Sequence, residues 1–175
     1  MIKRLSYYAI QASALLFDEF ATLHAEHVLV IVPAEEEPSP DPLLSTEFDH
    51  ENPLARPRIS DEYRVTPLRK KTGGHPFEMF LTVGRAGNND IVLRDIQVSK
   101  IHAFLEADPQ GNWMIRDSNS TNGTFVADHR IPSDQKTLLK SSDTVKFGPG
   151  LSAVFFSPAD FYQFLRSNEV VEALL

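Results

Sequence analysis

Apolar side chains recur every three or four positions over residues 2–24, at Ile2, Leu5, Tyr8, Ala12, Leu15, Leu16, Phe20 and Leu23. That spacing follows the helical period and predicts one amphipathic helix. Its polar face has little basic character, so packing on a core or a partner suits it better than a membrane surface. HVLVIVP, residues 27–33, is a short unbroken apolar run closed by a proline and predicts a buried strand. From about residue 62 the period shortens. YRVTPL, FEMFLTVG, DIVL, IHAFLEAD, NWMIRD, GTFVAD, TLL, DTVKFG and LSAVFF succeed one another, several of them alternating, with Gly, Pro and Asn turn signals between them. Many short strands at close intervals predict a β-sandwich or barrel. Trp113, Ile115, Phe104 and Phe147 are its expected core. SPADFYQFLRSNEVVEALL then predicts a helix, with Ser157 as N-cap, Pro158 in the first helical position and Asp160 three residues after the cap. Phe161, Phe164, Leu165 and Val170 of that helix are expected to face the sandwich.

Composition sharpens this picture in one place. Residues 33–67 hold seven of the 12 prolines, and residues 34–62 hold nine acids against two bases. That stretch carries the whole net charge of −7, and the rest of the chain balances. It reads as an acidic linker with little to bury. The expected organisation is an N-terminal helix and strand over 1–32, the linker over 33–61, the sandwich over 62–157 and a C-terminal helix over 158–175. The neutral remainder has no basic face for nucleic acid. Without cysteine there is no disulfide framework, Cys-based zinc site or thiol nucleophile. No apolar run is long enough to span a membrane. Lys3 and Arg4 precede YYAIQASALLF as in a secretory leader, but Gln11 and Ser13 interrupt it, and Asp18 and Glu19 follow where a cleavage site needs small residues. A cytoplasmic location is expected.

The chemistry is concentrated in three loop segments, GRAGNND at 84–90, VSKIHA at 98–103 and DSNSTNGTFV at 117–126. Loops of a sandwich gather at its ends, so all three can meet. Arg85 offers a planar fork of donors suited to phosphate, Ser99 a hydroxyl and Lys100 a mobile charge. Thr121 and Asn122 add a hydroxyl, an amide and nearby backbone N–H groups. Asn122-Gly123 is a strong hairpin signal, yet a hairpin alone does not need the four polar residues before it. The set is an inventory of donors for one oxyanion, without a paired acid and base. Ser99 and His102 stand three apart, but neither an activating carboxylate nor a GxSxG motif accompanies them. No catalytic residue, metal or cofactor is expected, and the chain is not expected to be an enzyme.

Together, GR-x4-D-I-x-L, VSK-x-HA, D-x2-STNGTFV and DTVKFG resemble, in order, the forkhead-associated (FHA) domain of bacterial proteins, over roughly residues 62–157. The resemblance implies an FHA-like β-sandwich, here with the N-terminal helix and strand extension and the C-terminal helix. It implies binding of phosphothreonine peptides at the apical loops, downstream of a Ser/Thr protein kinase. Arg85 and Ser99 match direct phosphate contacts, Lys100 a neighbouring phosphate or backbone contact, and Thr121 a residue lining the phosphate site. Asn122 matches the residue that holds the peptide main chain. Gly84, His102 and Gly123 take structural roles, His102 by tying loops together. Asn119 stands where the family usually has glycine, and asparagine tolerates the left-handed backbone that this requires. The other class left open is a phospho-independent scaffold built on the same sandwich. Thr46, in LSTEFDH with Asp49 three residues on, is a candidate ligand from within the chain. Docked in a neighbouring copy, it would produce self-association.

Overall fold

The computed structural model describes residues 2–32, 63–74, 76–77 and 79–167. The acidic segment, Thr46 and Val170 lie outside the described residues. Strand β1 (Lys3–Arg4) leads into helices α1 (Leu5–Ala14) and α2 (Phe17–Leu23), then β2 (Val28–Val32). After the undescribed segment come β3 (Arg64–Pro67), β4 (Leu81–Gly84), β5 (Ile91–Val92), β6 (Ala103–Ala107) and β7 (Trp113–Asp117). The chain continues through β8 (Thr124–Val126), β9 (His129–Arg130), β10 (Thr137–Leu139), β11 (Thr144–Phe147) and β12 (Ser152–Phe156), and closes its described part with α3 (Pro158–Leu165). A seven-stranded sheet in the order β1-β3-β2-β12-β11-β8-β9 faces a five-stranded sheet in the order β10-β7-β6-β4-β5. No helix among the described residues is long and apolar enough to cross a membrane.

Two cores result. The first fills the sandwich, with Val83, Leu105, Ile115, Val145, Phe147 and Phe155 among its members. The second lies between the outer face of the seven-stranded sheet and the helices, and contains Leu5, Tyr8, Phe20, Phe156, Phe161 and Leu165. Strand β2 shows why both are needed. Leu29 points into the first core while Val28 and Val30 point into the second. Its hydrogen-bonded neighbour β12 does the same, with Ala153 and Phe155 inward and Phe156 outward. Strands covered on both faces read as unbroken apolar runs, which is the texture of VLVIV and AVFF. β2, expected with the N-terminal extension, therefore lies in mid-sheet between β12 and β3.

The single helix expected over 2–24 is two helices. Leu15 and Leu16 both take extended backbone angles. Glu19 accepts the Leu16 N–H at 3.0 Å, and Asp18 and Glu19 occupy the first turn of α2, where acids favour a new helix start. The break brings Phe20 against Tyr162 and Phe161 of α3, at ring distances of 5.2 and 6.3 Å. It leaves Leu16 and Leu23 on the surface. The start of α3 is as expected: Ser157 accepts the Asp160 N–H and Pro158 opens the helix. The helix ends at Leu165, with Arg166 as its C-cap, short of the expected 158–175, of which residues 168–175 lie outside the described residues; Phe161 and Leu165 are buried in the second core.

Of the four expected core residues, Ile115 and Phe147 are fully buried. Trp113 is half-buried at the edge of the first core, beside the ring of His27. Phe104 is on the outer face of the five-stranded sheet, because strand alternation turns Ala103 and Leu105 inward. It packs there edge-on to Phe80 at 4.7 Å, with the Arg116 guanidinium over its ring at 4.8 Å. Phe161→Ala is expected to cost about 3–5 kcal/mol, as a large side chain lost from a closed core. Phe104→Ala is expected to cost clearly less. Urea denaturation of both variants checks the difference.

Candidate functional site

One end of the sandwich collects every loop of interest. The pairings Val83 with Ala103, Ala103 with Asp117, and Phe147 with Thr124 align the ends of β4, β6, β7, β8 and β11. Arg85 leaves β4, Ser99 and Lys100 precede β6, and Thr121 and Asn122 lie between β7 and β8.

The first two loops are joined through their backbones. The Arg85 N–H donates to Ser99 O at 3.0 Å and the Ala86 N–H to Lys100 O at 3.2 Å. Contact is so close that a Cβ on Gly84 would sit 2.4 Å from the Lys100 carbonyl oxygen, so only glycine fits there. The second and third loops are joined through side chains. Ser99 Oγ accepts the Thr121 N–H at 3.1 Å and lies 3.4 Å from Thr121 Oγ1. Asn122 Nδ2 donates to Gln97 O at 2.8 Å.

His102 locks this arrangement from below. It is fully buried, and its Nδ1 accepts the Ser99 N–H at 3.0 Å. Nδ1 must then be unprotonated, so Nε2 carries the hydrogen and donates it to Gly123 O at 3.2 Å. The same carbonyl accepts the Gly148 N–H at 2.9 Å. Burial lowers the His102 pKa, although the Gly123 hydrogen bond and the Asp117 charge oppose it.

Asp117 organises the third loop. Its carboxylate accepts the Ser120 and Thr124 hydroxyls at 2.6 Å each and the Ser120 N–H at 2.9 Å. Burial by itself would raise this carboxyl, but these hydrogen bonds prevail and hold it below the ordinary range. Ser120 Oγ in turn accepts the Gly123 N–H at 3.0 Å. Asn119 takes φ 55°, as expected of an asparagine in a glycine-like position. The Asn122-Gly123 hairpin reading needs correction. Only Gly123 has positive φ, at 81°, and this pair precedes β8 instead of joining two paired strands. The two-residue hairpin is Ala127-Asp128, at φ 47° and 65°, between β8 and β9. Val126 enters the first core, while Phe125 is half-buried outside it.

Above this buried framework, Arg85, Lys100, Thr121 and Asn122 are exposed and Ser99 is half-buried. Neither the Arg85 guanidinium nor the Lys100 ammonium pairs with a carboxylate among the described residues. A cavity of ≈ 240 Å³ beside Arg85 is lined by Arg94, Asp95 and Ile96. The larger cavity, ≈ 520 Å³, lies behind the Arg85 loop and includes Arg69, Lys70 and Lys71. Its cations are engaged, with Glu26, Asp90 and the Gly87 carbonyl respectively, so it makes a poorer anion site. Among the described residues no cluster of three or more His, Cys, Asp or Glu could hold a metal ion. Sequence reasoning assigned no role to Asp117, although the D-x2-S-x3-T spacing that serves its carboxylate is visible in the motif.

Residues 81–148 match the family model of the FHA domain. An ABC transporter ATP-binding/permease protein of Mycobacterium tuberculosis is 42% identical over 66 residues, 38% of this chain and 7% of that protein. Transcription factor 19 of Homo sapiens is 36% identical over 84 residues, 45% of this chain and 24% of that protein. The chain thus corresponds to a small part of each relative. Their organisms are varied, and a specifically bacterial type is not established. The solution structure of the FHA domain of an Arabidopsis thaliana hypothetical protein superposes with a TM-score of 0.50 at 22% identity, covering 75% of this chain and 85% of that one. It supports an FHA-like sandwich fold.

Neutral His102 has a consequence for stability. The unfolded chain, with an imidazole pKa of about 6.5, takes up a proton before the folded one does. Stability should therefore be full above that pH and decline as pH falls toward the lower folded value. His24 and His27 are also lowered by burial and act in the same direction. Urea midpoints between pH 7.5 and 5.5, compared with those of His102→Gln, should show a shallower slope in the variant. Equal slopes would mean that His102 titrates alike in both states.

Proposed function

We infer that this chain is a binding module that recognises phosphothreonine in proteins or peptides, as a cytoplasmic adaptor downstream of a Ser/Thr protein kinase. Arg85, Ser99, Lys100, Thr121 and Asn122 make the contacts in this reading. The observation that carries it is that the cations Arg85 and Lys100, neither paired with a carboxylate among the described residues, stand exposed at the rim of a framework in which His102, Asp117 and Ser120 are hydrogen-bonded within the loops. FHA domains bind phosphothreonine peptides. A phosphate monoester brings nearly two negative charges and three acceptor oxygens. Arg85 supplies charge and orientation, Lys100 further charge, and the hydroxyls and loop N–H groups fill the remaining acceptors. Each charge-assisted hydrogen bond contributes about 1.5–3 kcal/mol. Desolvation and peptide ordering offset part of that, which leaves a micromolar affinity near −8 kcal/mol. Preference for threonine over serine follows if its methyl enters an apolar notch, for about 1 kcal/mol. Gln97, tied to Asn122 and next to exposed Ile96, is placed to select a side chain downstream.

A phospho-independent scaffold is the second reading. It is favoured by Ile10, Leu16 and Leu23, apolar side chains that are 69%, 75% and 60% exposed along the N-terminal helical segment, remote from Arg85 in sequence. The two readings differ in their need for phosphate. Titration calorimetry with a phosphothreonine peptide library is expected to give micromolar binding that vanishes without the phosphate. Arg85→Ala is expected to weaken binding by about 30-fold or more, losing at least one charged hydrogen bond. Its stability should stay within about 0.5 kcal/mol of wild type, as for other exposed loop substitutions. Equal binding by the variant would remove Arg85 from the site.

A further inference from the structure

Asn89 belongs to no expected site, yet it touches two of the three loops that carry the proposed contacts. It is fully buried. Its Nδ2 donates to Ala86 O at 2.9 Å and to Lys100 O at 2.7 Å. Its backbone N–H also reaches Ala86 O, at 3.1 Å. Both side-chain neighbours are carbonyl oxygens, so the amide can present only its NH2 group to them. The Lys100 carbonyl already accepts the Ala86 N–H and abuts Gly84, so Asn89 completes the contact between the two loops.

The other half of the amide is informative. Among the described residues, Asn89 Oδ1 is buried with no hydrogen-bond partner. An unpaired buried acceptor is unfavourable, and an apolar residue here would avoid it. What asparagine alone provides, at this reach, is two N–H donors for two carbonyls on different loops. Serine has one donor, aspartate has none when ionised, and glutamine is a carbon longer.

We propose that Asn89 is a positioning residue for the phosphate site: its side-chain amide clamps the Arg85 loop to the Ser99–Lys100 loop and so sets the spacing of the groups that hold the ligand. This rests on the phosphothreonine reading above, since the clamp matters for binding only if Arg85 and Ser99 share one anion. Asn89 itself is too deeply buried to reach the ligand.

The test uses the full chain with Asn89→Ala and Asn89→Asp, the second nearly isosteric but without the donors. Binding of a phosphothreonine peptide is measured well below the melting temperature, where a stability loss alone leaves the Kd of the folded protein unchanged. The expected result is a Kd raised about tenfold or more, of the order of one lost charged hydrogen bond. Amide hydrogen exchange should quicken at Arg85 and Ala86, whose N–H groups span the two loops, and not at Val83 or Leu105. Wild-type Kd in folded variants overturns the positioning role, and unchanged exchange at Arg85 and Ala86 overturns the clamp. If the wild type binds no phosphopeptide, the functional reading fails, and the exchange data alone decide the clamp. Should neither variant fold, the wild type decides: the Asn89 side-chain NH2 protons should exchange slowly, and more slowly still with peptide bound. Rapid exchange there overturns the proposal.

Discussion

The neutral imidazole of His102 holds the loop end of this sandwich together. One ring nitrogen accepts from Ser99 and the other donates to Gly123, so a single tautomer spans the second and third loops. Protonation would set an N–H of the ring against the N–H of Ser99. The ring also packs edge-on to Phe147 at 5.6 Å, which ties loop geometry to the sandwich core. Ser99, Thr121 and Gly123 are all within one or two hydrogen bonds of this ring.

Around it the buried polar groups divide the work. Asp117 fixes the third loop through two hydroxyls and an N–H, while Asp90 fixes the base of the first by accepting the Thr82 N–H at 2.8 Å and the Lys70 ammonium at 2.8 Å. Both carboxyls are held below their ordinary range because hydrogen bonds outweigh burial. Such networks are rigid when fully satisfied and costly when broken. Their placement below the rim leaves the Arg85 and Lys100 side chains exposed and without a carboxylate partner among the described residues. For the binding proposed above, a framework already hydrogen-bonded before the ligand arrives loses less ordering entropy.

The helices complete the fold through the second core. They cover the outer face of the seven-stranded sheet, where Tyr8, Phe20, Phe156 and Phe161 form a chain of ring contacts. Tyr162 donates to Leu15 O at 2.9 Å and Arg166 to Ala12 O at 3.2 Å, which ties α3 to the carbonyls at the end of α1. The sandwich is thus assembled from residues on both sides of the acidic segment. Ile31 pairs with Arg64 although the whole segment lies between them in sequence.

Local chemistry was legible in the chain alone. Ser157 and Pro158 announced a helix start, alternating residues announced strands, and the three motif loops displayed the donors of the candidate site, because each signal depends on neighbours a few residues apart. VLVIV was legible as a buried strand, but its position between β12 and β3 was not, since strand pairing joins residues more than a hundred apart. Phe104 looked like core because alternation gives two faces without saying which is covered. The break at Leu15–Leu16 depends on where α3 packs, and periodicity carries no information about that. Asn89 and Asp117 had no role assigned from the sequence; their significance comes from carbonyls and hydroxyls that only folding brings to them. The sequence alone determined which groups this protein can offer an anion. Tertiary structure decided which of them stand free at the rim and which are consumed in holding the rim in place, because a hydrogen bond between loops exists only once the strands beneath them have found their register.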